Sequence, residues 1–357
     1  MIALVPDWHD AVQWDEFVER QSEARFSHLW HYGGVTECYG YQRHNFCFLR
    51  DGKIVAVLPT VEAKSMLFGR RLISQPFSEY GGFLISPDLD ADEVSEVFSL
   101  MGGYLKQNAT CDVAELHGNH GVSMALRDRA PFMGTNPHHV AYLDVRHPQE
   151  HLWRNVINHS ARKSVSKARK SGVVISEECT DDLIRDAFFP LYLKSMKRLG
   201  SPPHTVGYYL ACFRLFGSKM RILWAHSGEK RIAALLGFSC GTRINIINTV
   251  SDPEYWHLSP NDLLHWEFIC TTAREGFDYF DFGSVRYQGQ DTFKKKWGCE
   301  MEEHRQYFLT REAKPTMART FDSSGGMMTR ASRLWSRYMP APISTRLGPT
   351  IRQHLMR

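Results

Sequence analysis

The sequence contains a strand-turn-strand pattern twice, and this repetition strongly limits the folds open to the chain. In the first copy, Asp51-Gly52 joins two apolar runs within residues 46–59, and glycine readily adopts the positive φ of a tight hairpin turn. The second copy runs from residue 222 to residue 238. A helical pattern follows each hairpin, at 91–107 and at 260–275. The sequence therefore predicts two copies of one α+β unit.

The length of the chain also favours two domains. With 357 residues, it exceeds the roughly 100 to 200 residues of an average domain. A strand-like segment ends at Arg146-His147-Pro148, and prolines and glycines break the pattern again after residue 312. We therefore predict an N-terminal domain at 1–147, a second domain at 148–312 and a basic amphipathic tail at 313–357. Each domain is expected to be a mixed sheet flanked by helices.

The composition excludes several classes of protein. Hydrophobic residues make up 43% and charged residues 23%, which is typical of folded globular domains and not of disordered or fibrous chains. Apolar runs such as 232–238 are far shorter than the roughly 18 residues that cross a bilayer. The N-terminus lacks a basic segment followed by an apolar core, so a cytoplasmic location is expected. The eight cysteines lack zinc-ligand spacing and are predicted to be free thiols, with no metal site.

Positive charge is concentrated in one central segment. Residues 154–172 are predicted to form a helix that ends at Gly172, with one apolar side and several outward cations, among them Arg162 and Lys163. Such a surface fits a phosphate-bearing partner, whether tRNA, a nucleotide-linked precursor or coenzyme A, and no DNA partner is predicted. A solvated helix face is the other interpretation of the same charges.

Two segments that follow predicted strands add further polar candidates. The loop 74–82 combines proline and paired glycines with Tyr80, and either a binding loop or a plain turn fits it. Later, an apolar strand ends near Asp281, and the loop after it carries Arg286, Tyr287 and Lys294. Cations and a phenol at a sheet edge could hold a phosphate or a developing oxyanion.

Taken in order, several short motifs resemble the FemAB-related branch of the GNAT superfamily. In the second half they are the following: Arg169-Lys170-Ser171-Gly172, the stretch 196–204 ending at His204, Ser259-Pro260-Asn261, Asp281-Phe282-Gly283 and Phe293-Lys294-x-x-Trp297-Gly298. In the first half, Leu58-Pro59, Lys64-Ser65-x-x-Phe68-Gly69 and the loop 74–82 look similar to FemAB-like proteins associated with exopolysaccharide and exosortase systems of the PEP-CTERM type. The resemblance covers about residues 10 to 310.

This resemblance implies two tandem GNAT-like domains and an acyltransferase. The expected reaction moves an activated acyl or aminoacyl group to an amine of a peptidoglycan or exopolysaccharide precursor, which is phosphorylated or lipid-linked. The acetyl-coenzyme-A loop of ordinary GNAT enzymes has no good copy, and Arg214–Lys219 matches it only in part. The donor therefore stays open among aminoacyl-tRNA, acyl-coenzyme A and acyl carrier protein, each acting as a co-substrate and not as a tightly bound cofactor.

Roles are assigned to nine candidate residues. The catalytic candidates are Lys294, which the resemblance places near the acceptor's phosphates, Asp281 for positioning and Tyr287 for orientation or proton transfer. The substrate-binding candidates are Arg286, Arg162, Lys163, Tyr80, His204 and Asn261. Asp281 and His204 also have a purely structural interpretation, and helix capping alone explains the segment around Asn261.

A different class of function uses the same charges. A non-catalytic protein could hold RNA or an anionic glycolipid precursor in a basic cleft. The tail adds a separate prediction, because apolar residues alternate with arginines between Arg330 and Arg357 and no acidic residue occurs there. Such a pattern suits docking on the inner face of the cytoplasmic membrane, and packing on the second domain is the alternative.

Overall fold

The chain forms two compact units in a computed structural model. The structure describes residues 1–65, 69–108, 113–118, 132–134, 138–286, 288–310 and 326–355. Unit 1 comprises Met1–His138, Glu303–Asp322 and Ile351–Arg357, and unit 2 comprises His139–Glu302 and Ser323–Thr350. The division into domains at 1–147, 148–312 and 313–357 differs from these units at the returning segments, and it stays a prediction.

The described part of unit 1 contains a mixed sheet and three complete α-helices. Its strands are β1 (Ile2–Val5), β2 (Gln42–Arg50), β3 (Lys53–Ser65), β4 (Gly69–Ile73), β5 (Leu84–Ile85), β6 (Val113–Gly118), β7 (Phe132–Gly134) and most of β14 (Glu300–Thr310). Its helices are α1 (Ala11–Glu19), α2 (Trp30–Thr36) and α3 (Ala91–Asn108). The strand order is β1-β2-β3-β4-β6-β14, with β5 beside β3 and β7 beside β14.

Unit 2 contains the second sheet. Its strands are β8 (His138–Asp144), β9 (Val173–Glu177), β10 (Met220–Ser227), β11 (Lys230–Cys240), β12 (Arg243–Ser251) and β13 (Tyr279–Val285), in the order β8-β13-β12-β11-β10-β9. Its helices are α4 (His159–Lys170), α5 (Phe189–Leu199), α6 (Val206–Phe216), α7 (Pro260–Arg274), α8 (Gln288–Lys295), α9 (Gly326–Tyr338) and α10 (Ala341–Leu355), the last of which belongs to unit 2 as far as Thr350.

The two units repeat one chain path. In each, three antiparallel strands, β2-β3-β4 or β10-β11-β12, lead through α3 or α7 to a strand that pairs in parallel, β6 or β13. Both parallel ladders are short: Arg71–Ile73 pairs with Val113–Glu115, and Arg243–Asn245 pairs with Tyr279–Asp281. The predicted fold class, two tandem α+β units with mixed sheets and flanking helices, is therefore confirmed.

Each unit has its own apolar core. Phe48, Met101 and Leu116 belong to the core of unit 1, and Leu264 and Phe280 belong to that of unit 2. Burying a side chain such as Phe280 stabilises the fold by about 1.5–3 kcal/mol. Within the described residues, no helix has both the length and the apolar character needed to cross a bilayer.

Local signals explain where several elements begin and end. Both residues of the first hairpin turn have positive φ, 52° at Asp51 and 75° at Gly52, as the Asp-Gly signal predicts. The predicted helix at 154–172 is shorter than expected, because Leu152–Val156 forms a separate π-helical turn and α4 begins only after Asn158. The Asn158 side chain accepts a hydrogen bond from the Ala161 N–H at 3.0 Å and thereby caps α4.

Candidate functional site

Strands β12 and β13 pair over a short distance and then separate. Their parallel ladder ends at Asn245 and Asp281. On its other side, β12 stays paired with β11 as far as Ser251, and β13 stays paired with β8 as far as Val285. The two outer ladders both shift register close to this point. The β11/β12 ladder shifts between Leu236 and Gly237, and the β13/β8 ladder shifts between Asp281 and Gly283. Beyond the short ladder the facing edges of β12 and β13 form no ladder with each other, and we call this unpaired region the β12/β13 gap. Where it begins, a Cβ atom on Gly283 would lie 3.6 Å from the Ile246 carbonyl oxygen.

Asp281 shapes the backbone of β13 at this gap. Its side chain is fully buried, and its Oδ1 accepts a hydrogen bond from the Gly283 N–H at 2.8 Å. Gly283 has φ of 73°, which a residue with a side chain rarely adopts. Asp281 and Gly283 thus form the bend together, and the geometry gives Asp281 a positioning role.

Lys294 brings a buried positive charge to the end of β13. It lies on α8, only 6% of its surface is exposed, and its Nζ donates hydrogen bonds to the Gly283 and Ser284 carbonyls at 2.8 and 2.6 Å. Bonds from a charged donor are stronger than those between neutral groups. The Lys294 ammonium therefore holds the strand end in place and concentrates positive potential there.

Arg286 follows β13 directly and is exposed. Its backbone N–H donates a hydrogen bond to the Gln290 side chain at 2.8 Å, and its Nε–H donates one to the Ser284 hydroxyl at 3.2 Å. These bonds anchor the loop while the guanidinium stays near the strand end. Tyr287 lies outside the described residues, so its predicted role stays a prediction.

Asn261 lies at the start of α7 and reaches β12. Its Nδ2 donates a hydrogen bond to the Ser251 hydroxyl at 3.2 Å. Its Oδ1 is buried and accepts no hydrogen bond from the described residues. A buried polar atom without a partner is costly, and such atoms often mark places where a ligand or water completes the bonding. Asn261 is therefore placed to contact a molecule beside the end of β12.

His204 connects to β12 through a tyrosine. It is buried, its backbone N–H donates a hydrogen bond to the Tyr192 hydroxyl at 2.9 Å, and its ring stacks on Tyr208 with centroids 3.9 Å apart. Tyr209, whose ring meets that of His204 edge-on, donates its hydroxyl to Asn248 Oδ1 at 3.0 Å. Sequence reasoning missed this bond, although Asn248 interrupts the apolar run 244–250 and was a usable signal.

The two candidates on α4 differ in their surroundings. A single Arg162 nitrogen donates to the carbonyls of Trp153, Arg154 and Ile157 at 2.9, 3.3 and 2.6 Å, so this guanidinium stabilises the end of the preceding turn. Lys163 is exposed. Substrate contacts by either residue stay predictions.

Tyr80 belongs to unit 1, where its loop covers the corresponding strand ends. The Ser74 hydroxyl accepts a hydrogen bond from the His117 N–H at 2.7 Å, so the loop is tied to the end of β6. A Cβ atom on Gly82 would lie 1.5 Å from the His117 carbonyl oxygen, so the loop lies directly on that strand. Tyr80 itself is buried beneath the Arg25 guanidinium, 5.2 Å from its ring centroid. In unit 1 the region that matches the β12/β13 gap is therefore filled by the chain itself.

Comparisons with known proteins bear on this region. Residues 157–295 match the family model of the acetyltransferase (GNAT) domain. No curated protein is matched by the sequence. FemX is similar in structure, with a TM-score of 0.70, 11% identity and coverage of 86% of this chain and 97% of FemX. The C-terminal DUF2156 domain of a putative lysylphosphatidylglycerol synthetase from Agrobacterium fabrum has a TM-score of 0.54, 11% identity and coverage of 84% and 91%.

A tandem GNAT protein from the clavulanic acid biosynthesis pathway is also similar, with a TM-score of 0.51, 12% identity and coverage of 88% of this chain and 100% of that one. At such low identity the solved structures show the fold, and the family model adds the class of domain. Residues 157–295 therefore form a GNAT-type acyltransferase domain, as the motifs of the second half predict, and most of the chain shares the fold of FemX. The matched segment includes β12, β13 and α8, the elements that build the β12/β13 gap.

Proposed function

We propose that this protein transfers an activated acyl or aminoacyl group to an amine of a peptidoglycan or exopolysaccharide precursor, and that the reaction takes place at the β12/β13 gap. The early end of the β12/β13 ladder, within the segment that matches the GNAT domain, carries the proposal. Backbone groups that leave a ladder need new partners, and an extended donor arm can pair with them as a strand would.

The transfer requires few groups from the protein. The amine nitrogen attacks the carbonyl carbon of a thioester or ester, and the carbonyl oxygen becomes an oxyanion. The intermediate collapses to an amide and the bond to the donor's sulfur or oxygen breaks. The proton that the amine gives up ends on the departing thiolate or alkoxide, which leaves as a thiol or an alcohol. Positioning of the reactants and stabilisation of the oxyanion supply much of the rate in such reactions.

The charged groups around β13 suit this chemistry. The buried Lys294 ammonium and the Arg286 guanidinium both lie near the end of β13. We assign them to contacts with the acceptor's phosphates or with the oxyanion. Asp281 positions the strand, and Asn261 and His204 contribute on the side of β12. Exposed cations of α4, including Lys163, would extend this positive surface toward a phosphorylated substrate.

The observations constrain the chemical class of the acyl donor less than that of the acceptor. FemX and a lysylphosphatidylglycerol synthetase are among the proteins of similar fold, which favours an envelope or lipid acceptor and an aminoacyl donor. The first turn of α7 carries Asp262, whose carboxylate pairs with Lys296. An acidic side chain at a helix N-terminus competes with an incoming phosphate for that position. Aminoacyl-tRNA, acyl-coenzyme A and acyl carrier protein nevertheless all remain as donor classes to be tested.

A turnover assay tests the proposal. The full chain is incubated with a labelled acyl-coenzyme A, aminoacyl-tRNA or acyl carrier protein, together with nucleotide-linked and lipid-linked amino-sugar or peptide precursors. We expect mass spectrometry to detect one new amide for one donor class. Omission of the amine should abolish the product.

The competing function predicts a different pattern. Tight binding of RNA or of a glycolipid precursor, with no amide formed from any donor and no effect of Lys294→Met on binding, would replace the transferase by a binding protein.

A further inference from the structure

Most of the exposed large apolar side chains of the described residues lie in one region of unit 2. Leu334 and Tyr338 on α9 are 59% and 65% exposed, and Ile343 and Leu347 on α10 are 45% and 48% exposed. The surfaces of soluble proteins rarely carry several such residues close together, and an exposed apolar patch usually marks a binding surface.

The packed sides of these helices explain why the apolar sides face outward. The hydroxyls of Ser332 and Ser336 donate hydrogen bonds to the Leu199 and Arg198 carbonyls, both at 3.2 Å. On α10, a Cβ atom on Gly348 would lie 2.3 Å from the Pro203 ring, so that glycine is pressed against the same connection after α5. Small and polar residues thus face the body of unit 2. At 100° per residue, Leu334 and Tyr338 lie on the opposite side of α9.

The body of unit 2 continues the patch. Leu199, at the end of α5, is 41% exposed, and Trp256, in the short helical turn before α7, is 43% exposed. The Arg198 guanidinium lies 5.0 Å from the Trp256 ring centroid. Trp256 Nε1 also donates a hydrogen bond at 2.8 Å to the hydroxyl of Ser251, the last residue of β12. The patch therefore reaches the strand that borders the β12/β13 gap.

The charged side chains of α9 and α10 are of one sign. Arg330, Arg333, Arg337 and Arg346 are all exposed, and none forms an ion pair within the part of the chain that the structure describes. No acidic residue occurs between Asp322 and the C-terminus. Arginines beside exposed leucine, isoleucine, tyrosine and tryptophan side chains are typical of surfaces that lie in the interface of an anionic bilayer.

We propose that α9, α10 and the adjoining residues Leu199 and Trp256 form a face that docks unit 2 on an anionic lipid surface. Apolar side chains enter the headgroup region, and the arginines bind lipid phosphates. The proposal goes beyond the acyl-transfer reaction and does not depend on it. The exposed aliphatic side chains of Leu334, Ile343 and Leu347 favour lipid over RNA, because nucleic acid is bound by cations and aromatic rings and gains little from aliphatic groups.

Vesicle flotation of the full chain tests this face. Vesicles of equal parts phosphatidylglycerol and phosphatidylcholine should carry the protein upward at an ionic strength of about 0.15 M, and pure phosphatidylcholine vesicles should carry much less. The variant Arg333→Gln/Arg337→Gln/Arg346→Gln should lower the partition coefficient on the order of 100-fold. Each of the three arginines is expected to strengthen binding to the anionic surface by a similar factor, and these factors multiply. The matched control Arg20→Gln/Lys53→Gln/Lys106→Gln removes the same charge from exposed positions of unit 1 and should have little effect.

A second variant separates apolar insertion from charge. Leu334→Ser/Tyr338→Ser/Leu347→Ser should lose vesicle binding at least about tenfold, whereas Val12→Ser/Val174→Ser/Leu215→Ser, at exposed positions elsewhere, should retain it. Equal losses in test and control variants would overturn the proposal. So would binding of tRNA but not of vesicles, or a dimer in light scattering that Leu334→Ser/Tyr338→Ser/Leu347→Ser converts to a monomer without any vesicle binding.

Discussion

Replacing Lys294 by Met is expected to lower the turnover number on the order of 100- to 1000-fold while the protein remains folded. The substitution keeps most of the side-chain length but removes the ammonium that donates to the Gly283 and Ser284 carbonyls. These carbonyls then lose charged donors in a buried position, so the free energy of unfolding should also fall, by about 2–4 kcal/mol. Turnover and urea unfolding of the same preparation measure both effects.

Lys295→Met is the matched control for this variant. Lys295 is the next residue of α8, but its side chain is 64% exposed and pairs with Asp291 at 2.8 Å. Surface ion pairs contribute little, so this control should keep both activity and stability. A purely structural role for Lys294 predicts instead that Lys294→Met loses stability and, assayed well below its unfolding temperature, keeps its turnover number.

Acid is expected to destabilise the protein through two buried histidines. Burial lowers the pKa of His28 in unit 1 and of His265 in unit 2 from 6.5 to about 3. The positive charge of Arg25 adds to the effect on His28, and Lys296 and Lys294 add to that on His265. Between pH 6.5 and 3 the unfolded chain therefore binds protons that the folded chain does not.

The sign follows from this difference in proton binding. The stability is fully present above pH 6.5 and is lost as the pH falls toward 3, at about 1.4 kcal/mol per pH unit for each histidine. Urea unfolding at pH 7 and pH 5 measures the slope. His265→Phe, which keeps the aromatic stack on Phe282, should remove the contribution of His265, and the exposed His257→Phe should leave it in place. Identical slopes in all three proteins would contradict the assignment.

The local parts of the fold could be predicted from the sequence. The Asp-Gly hairpin turn and the start of α7 at Pro260 follow from backbone preferences of nearby residues, whereas β13 continues to Val285, past the predicted strand end near Asp281. The order of the motifs also predicts the GNAT domain that residues 157–295 match. These features depend on short segments, and short segments carry their own signals.

Long-range pairing could not be predicted in the same way. Strand β14 returns beside β6, with Arg305 opposite Gly118, and nothing near residue 305 indicates that partner. The loop 74–82 has positive φ at Gln75 and at Phe77, and neither position carries the glycine that would indicate such a φ in the sequence. The bonds from Arg162 to three carbonyls depend on the π-helical turn before α4, which the helical pattern concealed.

The candidate site was predicted in part. The sequence indicates Asp281 at a strand end and Arg286 in the loop after it, and the resemblance adds Lys294. The structure places Lys294 on a helix and not in the predicted loop, and it brings Lys294 and Asp281 to the same backbone segment. The sequence does not indicate that the β12/β13 ladder is short, since the length of this ladder depends on register shifts against the neighbouring strands. Tyr80 lies at the corresponding strand ends of unit 1, but there its own loop covers them.

Hydrogen exchange tests the location of the reaction most directly. Backbone exchange of the full chain is measured by mass spectrometry alone and with acyl-coenzyme A, aminoacyl-tRNA or acyl carrier protein at saturating concentration. With the donor that supports turnover, we predict slower exchange at 246–251 on β12 and at 283–285 on β13, and no change in the loop 74–82. Protection at 74–82 without protection at the β12/β13 gap would contradict the account.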